Sequence, residues 1–344
     1  IFKELNSFTF SQITPSQFYG IEIDDFAHEI AKLSLWLTEH QMNIEFFDEF
    51  QRVNPTLPLK KAGNITCANA TRVDWEAVCP KEQDYEIYVL GNPPYLGARM
   101  QSAKQKEDMH FVFSNMPNIS NLDYIACWFF IGSKYIKNCN AICSFVTTNS
   151  INQGEQVSIL WPSILRGGIE IGFAYKPFKW TNNAKSKASV IVSILGLRNS
   201  VNASKYIYDS YIKNNVKYIN HYLKPGNASY IYKRRRPLSK SLIPMCFGSM
   251  ANDGGGFFIT ESEFVELTSN NPELIPYIKL AIGGQEFLRG QLKYCIWIDG
   301  QNKTNALSHK FIMDRVNKVA EYRENSRRAA TRALVDVSYR FAEV

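Results

Sequence analysis

Nothing in this sequence is arranged to hold a metal or a disulfide framework. Its seven cysteines, in 344 residues, are odd in number and include no CxxC pair, and its five histidines are scattered. That spacing argues against a zinc knuckle and a disulfide-stapled fold, and a reducing cytoplasm is the compartment that fits. Long apolar runs are missing as well. The longest, Tyr124 to Gly132, is too short to cross a bilayer, so no membrane partner is expected. The opening residues, Ile1-Phe2-Lys3-Glu4, lack the charged-then-apolar order of a secretory leader. Charge of one sign is in small surplus: 39 Lys and Arg against 32 Asp and Glu give +7 and a pI near 8.9. Such a balance permits a polyanionic partner without demanding one. No internal repeat is visible.

What is present is ample core material. Apolar residues make up 45% of the chain and charged residues 21%, which excludes a disordered polypeptide. The length predicts two domains, or one large domain with an appended part. Phe18–Ile23 is β-rich and ends at Asp24-Asp25, where Asp24 can cap a helix. Phe26, Ile30, Leu33 and Leu37 then recur at helical spacing, predicting about four turns. Strands are predicted at Asn64–Ala68, Ile87–Leu90 and Ala141–Val146, and near Ile169–Tyr175 and Ala188–Leu197. Helices are predicted at Asp123–Ile136, as apolar sheet cover, and at Glu155–Leu165. Alternating strands and helices imply a mainly parallel sheet covered on both faces, closed by an antiparallel edge pair. After about Asn199 the chain turns rich in Tyr, Asn, Ser and Lys, which sets the expected domains at 1–199 and 200–344.

The sharpest chemical signal is Asn92-Pro93-Pro94-Tyr95, directly after the strand that stops at Gly91. Ligands of open α/β sheets sit beyond the carboxyl ends of strands. Two prolines fix the backbone and remove N–H donors, leaving carbonyl acceptors. The Asn side chain adds an acceptor and Tyr a flat stacking surface. Two acceptors can take both hydrogens of an exocyclic NH₂ and free its lone pair to attack an electrophile. A plain proline turn is the competing explanation. Glu22, near the end of the first strand, is a carboxylate able to accept from both hydroxyls of a ribose; a solvated acid capping the next helix explains it equally well.

Asn92–Tyr95 together with Tyr19–Asp24 resembles the catalytic tetrapeptide and ribose-binding strand of the amino-methyltransferases that use S-adenosylmethionine. Phe178–Ala184, Thr148–Gln156, Asp253-Gly254-Gly255 and Tyr294–Trp297 are similar to segments of type IIG restriction-modification polypeptides of the MmeI kind and their phage-defence relatives. The resemblance covers nearly the whole chain. It implies an α/β fold, a Rossmann-like class I methyltransferase sheet incomplete at its N-terminus, followed by an α+β target-recognition domain. It implies S-adenosylmethionine as cofactor and double-stranded DNA as partner.

Residue by residue, the resemblance makes Asn92, Pro93, Pro94 and Tyr95 catalytic, with Asn92 and the Pro93 carbonyl holding an adenine N6 amino group. Tyr95 stacks on the extruded base and Phe178 on its other side, with Trp180 the less favoured candidate. Glu22 binds the cofactor ribose, Asn69 occupies the position that contacts the cofactor's adenine, and Asn92 borders the same site. Asn149, Ser150 and Gln153 lie near it, although helix capping explains Asn149 or Ser150 as well. DNA contact is expected from the basic run Lys233-Arg234-Arg235-Arg236 and from Arg315, Arg323, Arg327 and Arg328. These last lie in a segment, Lys310–Arg332, with seven Lys/Arg against three acids; a solvated basic face is the ordinary fate of such a run.

The glycine-rich cofactor loop and the nuclease region of such polypeptides are both missing from this sequence, so it is expected to be a piece of a longer protein that carries them. The function implied is adenine-N6 methylation of a specific DNA sequence within a restriction-modification or phage-defence polypeptide. The rivals are methylation of a protein glutamine or of RNA, and a non-catalytic DNA-binding specificity subunit.

Overall fold

The computed structural model of the chain describes residues 13–51, 63–82, 85–114, 116–180, 190–234, 239, 241–243 and 248–344. It divides into two compact units, Ile1–Arg234 and Arg235–Val344.

In the first unit the order is β1 (Tyr19–Glu22), α1 (Asp25–Phe50), β2 (Asn64–Cys67), α2 (Trp75–Val78), β3 (Ile87–Gly91), α3 (Ala103–Phe113) and α4 (Ala126–Tyr135). It continues with β4 (Ala141–Thr148), α5 (Glu155–Leu165), β5 (Ile169–Trp180), β6 (Val190–Asn199), β7 (Lys205–Asp209) and β8 (Ile212–Val216). Asp24 caps α1 as expected, its Oδ1 accepting from the Ala27 N–H at 2.8 Å. The helix outruns the expected four turns because no Gly or Pro interrupts the chain up to Phe50; Gln51, at φ 53°, ends it.

Strands β1 and β2 form a parallel pair, while the remaining six form a sheet of order β3-β4-β6-β5-β7-β8. Within that sheet β3/β4 and β5/β7 are parallel; β4/β6, β5/β6 and β7/β8 are antiparallel. The mainly parallel sheet expected from the element order is therefore corrected. The hairpin return β6 inserts between β4 and β5 instead of lying at an edge. The sheet also continues past the boundary expected near 200. Phe173 of β5 pairs with Tyr206 of β7, and the Tyr175 and Tyr208 rings stack at 4.3 Å. The polar turn in composition after Asn199 is that of edge strands with a wet face.

Trp161, Phe129, Leu122, Ile125 and Ile136 are fully buried beneath the helices. Gly132 allows α4 to lie close on β4: a Cβ there would come within 2.6 Å of Cys143 Sγ. Cover on both faces is not seen among the described residues. Tyr88 and Leu90 of β3 are exposed, as are Phe26, Ile30, Leu33, Trp36 and Leu37 along α1.

The second unit contains β9 (Phe258–Thr260), α6 (Glu261–Asn270), β10 (Ile278–Leu280), α7 (Gly284–Arg289), β11 (Lys293–Ile296), α8 (Lys303–Ser308), α9 (Lys310–Glu324) and α10 (Ala329–Arg332). An antiparallel sheet, β10-β11-β9, shares a core of Phe257, Ile259, Leu274, Ile296, Ile312 and Val319 with the helices.

Candidate functional site

The pairing of β3 with β4 ends at Gly91, opposite Phe145, because the following Pro93 and Pro94 have no N–H to continue the ladder. The chain leaves the sheet with Asn92 exposed, Pro93 buried, Pro94 exposed and Tyr95 half-buried. Tyr95 packs against the edge of the core without being enclosed by it. The loop is fixed again at Leu96. Its N–H donates to Asp123 Oδ1 at 2.8 Å, and its carbonyl accepts from the Tyr124 N–H and from Gln101 Nε2, both at 3.0 Å.

The chain beyond β4 meets this loop through Asp123. Asp123 Oδ2 accepts from Ser150 Oγ at 3.1 Å and from Thr148 Oγ1 at 3.4 Å. Ser150 and Leu96 are thus joined through one carboxylate. Asn149 and Gln153 bond to each other, Nδ2 to Oε1 at 3.3 Å. The capping alternative fails for both Asn149 and Ser150, because the N-cap of α5 is Gly154.

Glu22 and Asn69 lie at the carboxyl ends of neighbouring parallel strands: Glu22 pairs with Cys67, and the Ala68 N–H donates to the Glu22 carbonyl at 2.8 Å. The Glu22 carboxylate is partly exposed, and Oε1 accepts from the Ile23 and Asp24 N–H groups at 2.8 and 3.1 Å. Those bonds orient it at the strand end. The Asn69 amide is engaged inside the chain. Oδ1 accepts from the Thr71 N–H and Oγ1 at 2.9 and 2.8 Å, and Nδ2 donates to Asp108 Oδ2 at 3.2 Å.

Phe178 lies at the same sheet edge as the Asn92 loop. Thr148 pairs with Val192, and Val192 with Phe178, so the three stand in one row at the carboxyl ends of β4 and β5. Three inter-strand steps separate β5 from β3, or roughly 14 Å between backbones. Phe178 is 37% exposed and its ring lies 6.3 Å from that of Trp180. Residues 181–184 of this motif lie outside the described residues.

Sequence reasoning missed two carboxylates. It assigned Asp123 to a sheet-covering helix and passed over Asp108, which is 3% exposed. Asp108 accepts from Tyr124 Oη at 2.7 Å and Arg72 Nε at 2.6 Å as well as from Asn69. Burial alone raises its pKa, but the bonds from Tyr124, Arg72 and Asn69 outweigh that and hold it below the ordinary carboxylate range. The signal available was weak: Asp123 is an acid beside an apolar run, and Asp108 stands among other charged residues. Burial pushes the Cys127 and Cys143 thiols up, so neither is a nucleophile at neutral pH. Among the described residues no group of His, Cys, Asp and Glu is placed to hold a metal, and no helix is long and apolar enough to cross a membrane.

The basic residues divide sharply. Arg323 is corrected from a DNA contact to a structural strut. It is fully buried, and its N–H groups donate to the carbonyls of Ala251, Asn252, Leu334, Val337 and Arg340. Arg315 is likewise spent internally, on Glu263 and on the Gly256 and Phe258 carbonyls. Arg327 and Arg328 are exposed. Lys233 is exposed and pairs with Glu155 at 3.0 Å. Arg234 is exposed too, while Arg235 and Arg236 lie outside the described residues.

Comparison with known proteins places this geometry. Residues 1–209 match the family described as MmeI, DNA-methyltransferase domain, and residues 225–344 match that described as MmeI, target recognition domain. A curated relative, DNA methyltransferase A of Bacillus subtilis (strain 168), is 46% identical over 96% of this chain and 38% of its own length. The solved structure of the type IIL restriction-modification enzyme MmeI in complex with DNA superposes with a TM-score of 0.85. It is 37% identical over 97% of this chain and 45% of its own. The chain thus spans less than half the length of either relative. The match over the first 209 residues decides the assignment: this chain belongs to the MmeI DNA-methyltransferase domain family.

Proposed function

We propose that the chain is the methyl-transferring and sequence-reading part of a DNA methyltransferase acting on the N6 amino group of adenine, in a restriction-modification or phage-defence polypeptide. One observation carries this reading: Asn92–Tyr95 leaves the carboxyl end of β3 with Asn92 exposed and Tyr95 half-buried, as a loop that must meet a planar amine requires. An adenine is inaccessible within the stack, so it must be turned out of the duplex. Asn92 Oδ1 and the Pro93 carbonyl then accept from its amino group, and Tyr95 and Phe178 supply the faces between which the base lies. The residues act by positioning and by hydrogen-bond acceptance, and the nitrogen itself is the nucleophile. No covalent intermediate is needed.

S-adenosylmethionine, when bound, supplies a methyl group made electrophilic by a positive sulfur. Glu22 fits the ribose of that cofactor, being a partly exposed carboxylate oriented at a strand end. Asn69 does not fit as an acceptor, because Thr71 already occupies its oxygen; it is assigned to hold the turn after β2. Duplex DNA is the proposed partner, with the exposed cations Arg327, Arg328 and Arg234 able to meet phosphate.

The test is transfer of labelled methyl from the donor to duplex DNA, RNA and peptide by the protein as the cell makes it. DNA should be the acceptor. Asn92→Ala should lower the rate by ~10²–10³-fold, the usual effect of removing one preorganised polar contact to the reacting group. Phe178→Ala should weaken binding of an extruded base analogue. Methylation by Asn92→Ala at the unmodified rate would sink the reading.

A further inference from the structure

We infer that Asp123 is a positioning residue for methyl transfer, the tie that sets the Asn92–Tyr95 loop against the chain leaving β4. The inference rests on the adenine-methylation reading above.

A loop with two prolines cannot be held by a backbone ladder, and the β3/β4 pairing stops at Gly91. The next fixed point is Leu96, the residue after Tyr95. It is clamped on both sides by one dipeptide: its N–H on Asp123 Oδ1 at 2.8 Å, its carbonyl under the Tyr124 N–H at 3.0 Å. Only four residues, Asn92 to Tyr95, lie between the two anchors, so the anchor at Leu96 fixes where Tyr95 can be.

The second oxygen of Asp123 reaches the other strand. Oδ2 accepts from Ser150 Oγ at 3.1 Å and Thr148 Oγ1 at 3.4 Å, and those two hydroxyls lie 2.5 Å apart. The Asp123 backbone is itself held, its N–H donating to Gln156 Oε1 of α5 at 2.9 Å. A carboxylate suits this post because it accepts only, on two oxygens, and its bonds to N–H and O–H donors are charge-assisted. At 4% exposure the tie is not weakened by competing water. One buried side chain therefore joins the loops that leave two adjacent parallel strands, and both loops lie at the edge where the base is to be held.

The test uses the whole protein, with rates normalised to folded molecules by active-site titration. Asp123→Ala removes both arms and should lower kcat by ~10²-fold with KM for DNA and donor within about threefold. An extruded 2-aminopurine at the target position, quenched by stacking on Tyr95, should brighten in the Asp123→Ala complex at saturation. Asp123→Asn keeps an acceptor for Leu96 and an amide that Thr148 and Ser150 can accept from, so it should recover most of the rate. Ser150→Ala removes the shorter of the two bonds to Oδ2 with little folding risk and should give a smaller loss with a smaller brightening. If Asp123→Ala and Ser150→Ala turn over normally per folded molecule, with unchanged 2-aminopurine signal, while Asn92→Ala is dead, this inference is wrong and the underlying reading stands. If Asn92→Ala itself is active, the underlying reading fails first.

Discussion

A carboxylate held below its ordinary pKa is a store of stability that acid removes, and Asp108 is such a group. Because its folded pKa is depressed, its contribution is complete above the unfolded value near 4 and is lost as pH falls through the folded one. Asp108→Asn should cost ~1–3 kcal/mol near neutrality. In denaturant titrations from neutral pH downward, the gap between variant and parent should narrow below the ordinary carboxylate range. A gap constant with pH would show that the Arg72–Asp108–Tyr124 network does not stabilise through charge. This residue and Asp123 mark where reading the sequence failed. The loop at Asn92–Tyr95, the strand end at Glu22 and the Asp24 cap are legible because their placement is local: a proline pair after a strand, a strand end, a side chain three residues from its partner. Asp108 draws its partners from 16, 36 and 39 residues away, and Asp123 reaches 27 residues forward and back. Nothing adjacent in the chain announces such partners.

At the scale of elements, periodicity served well for type and less well for arrangement. The strand at Ile87–Leu90, the helix at Glu155–Leu165 and the capped start of α1 are set by local patterning, and they form where it places them. The place of β6 between β4 and β5 is set by which edge a returning strand meets, a long-range competition that local pattern does not encode. Helix α9 shows a different failure. Its positive face suggests a partner outside the protein, yet Arg323 is turned inward onto five carbonyls. Charge counted along a sequence carries no information about which side of the helix faces the core. Arg323→Lys has three N–H groups for five acceptors, so at least two of these hydrogen bonds are lost, at ~1 kcal/mol each. Thermal unfolding of residues 235–344 should shift down accordingly. An unchanged transition would remove Arg323 from its structural role.

For the whole molecule, a net charge of +7 is too small to hold a polyanion without particular contacts, so the proposed DNA binding should depend on individual exposed cations such as Arg327 and Arg328. Taking one such cation off a phosphate should reduce the slope of log affinity against log salt by about one. Arg327→Ala with Arg328→Ala should therefore flatten the salt dependence of DNA binding by up to about two, read by titration at several ionic strengths. An unaltered slope would remove both from the interface.

Salt has a second lever on this chain. The apolar flank of α1, with Phe26 at 73% exposure and Leu37 at 53%, attracts any greasy surface it meets, and excluded salts such as sulfate tighten that attraction. An excluded salt thus pulls two kinds of contact in opposite directions: it screens cations from phosphate while it strengthens apolar contact along α1.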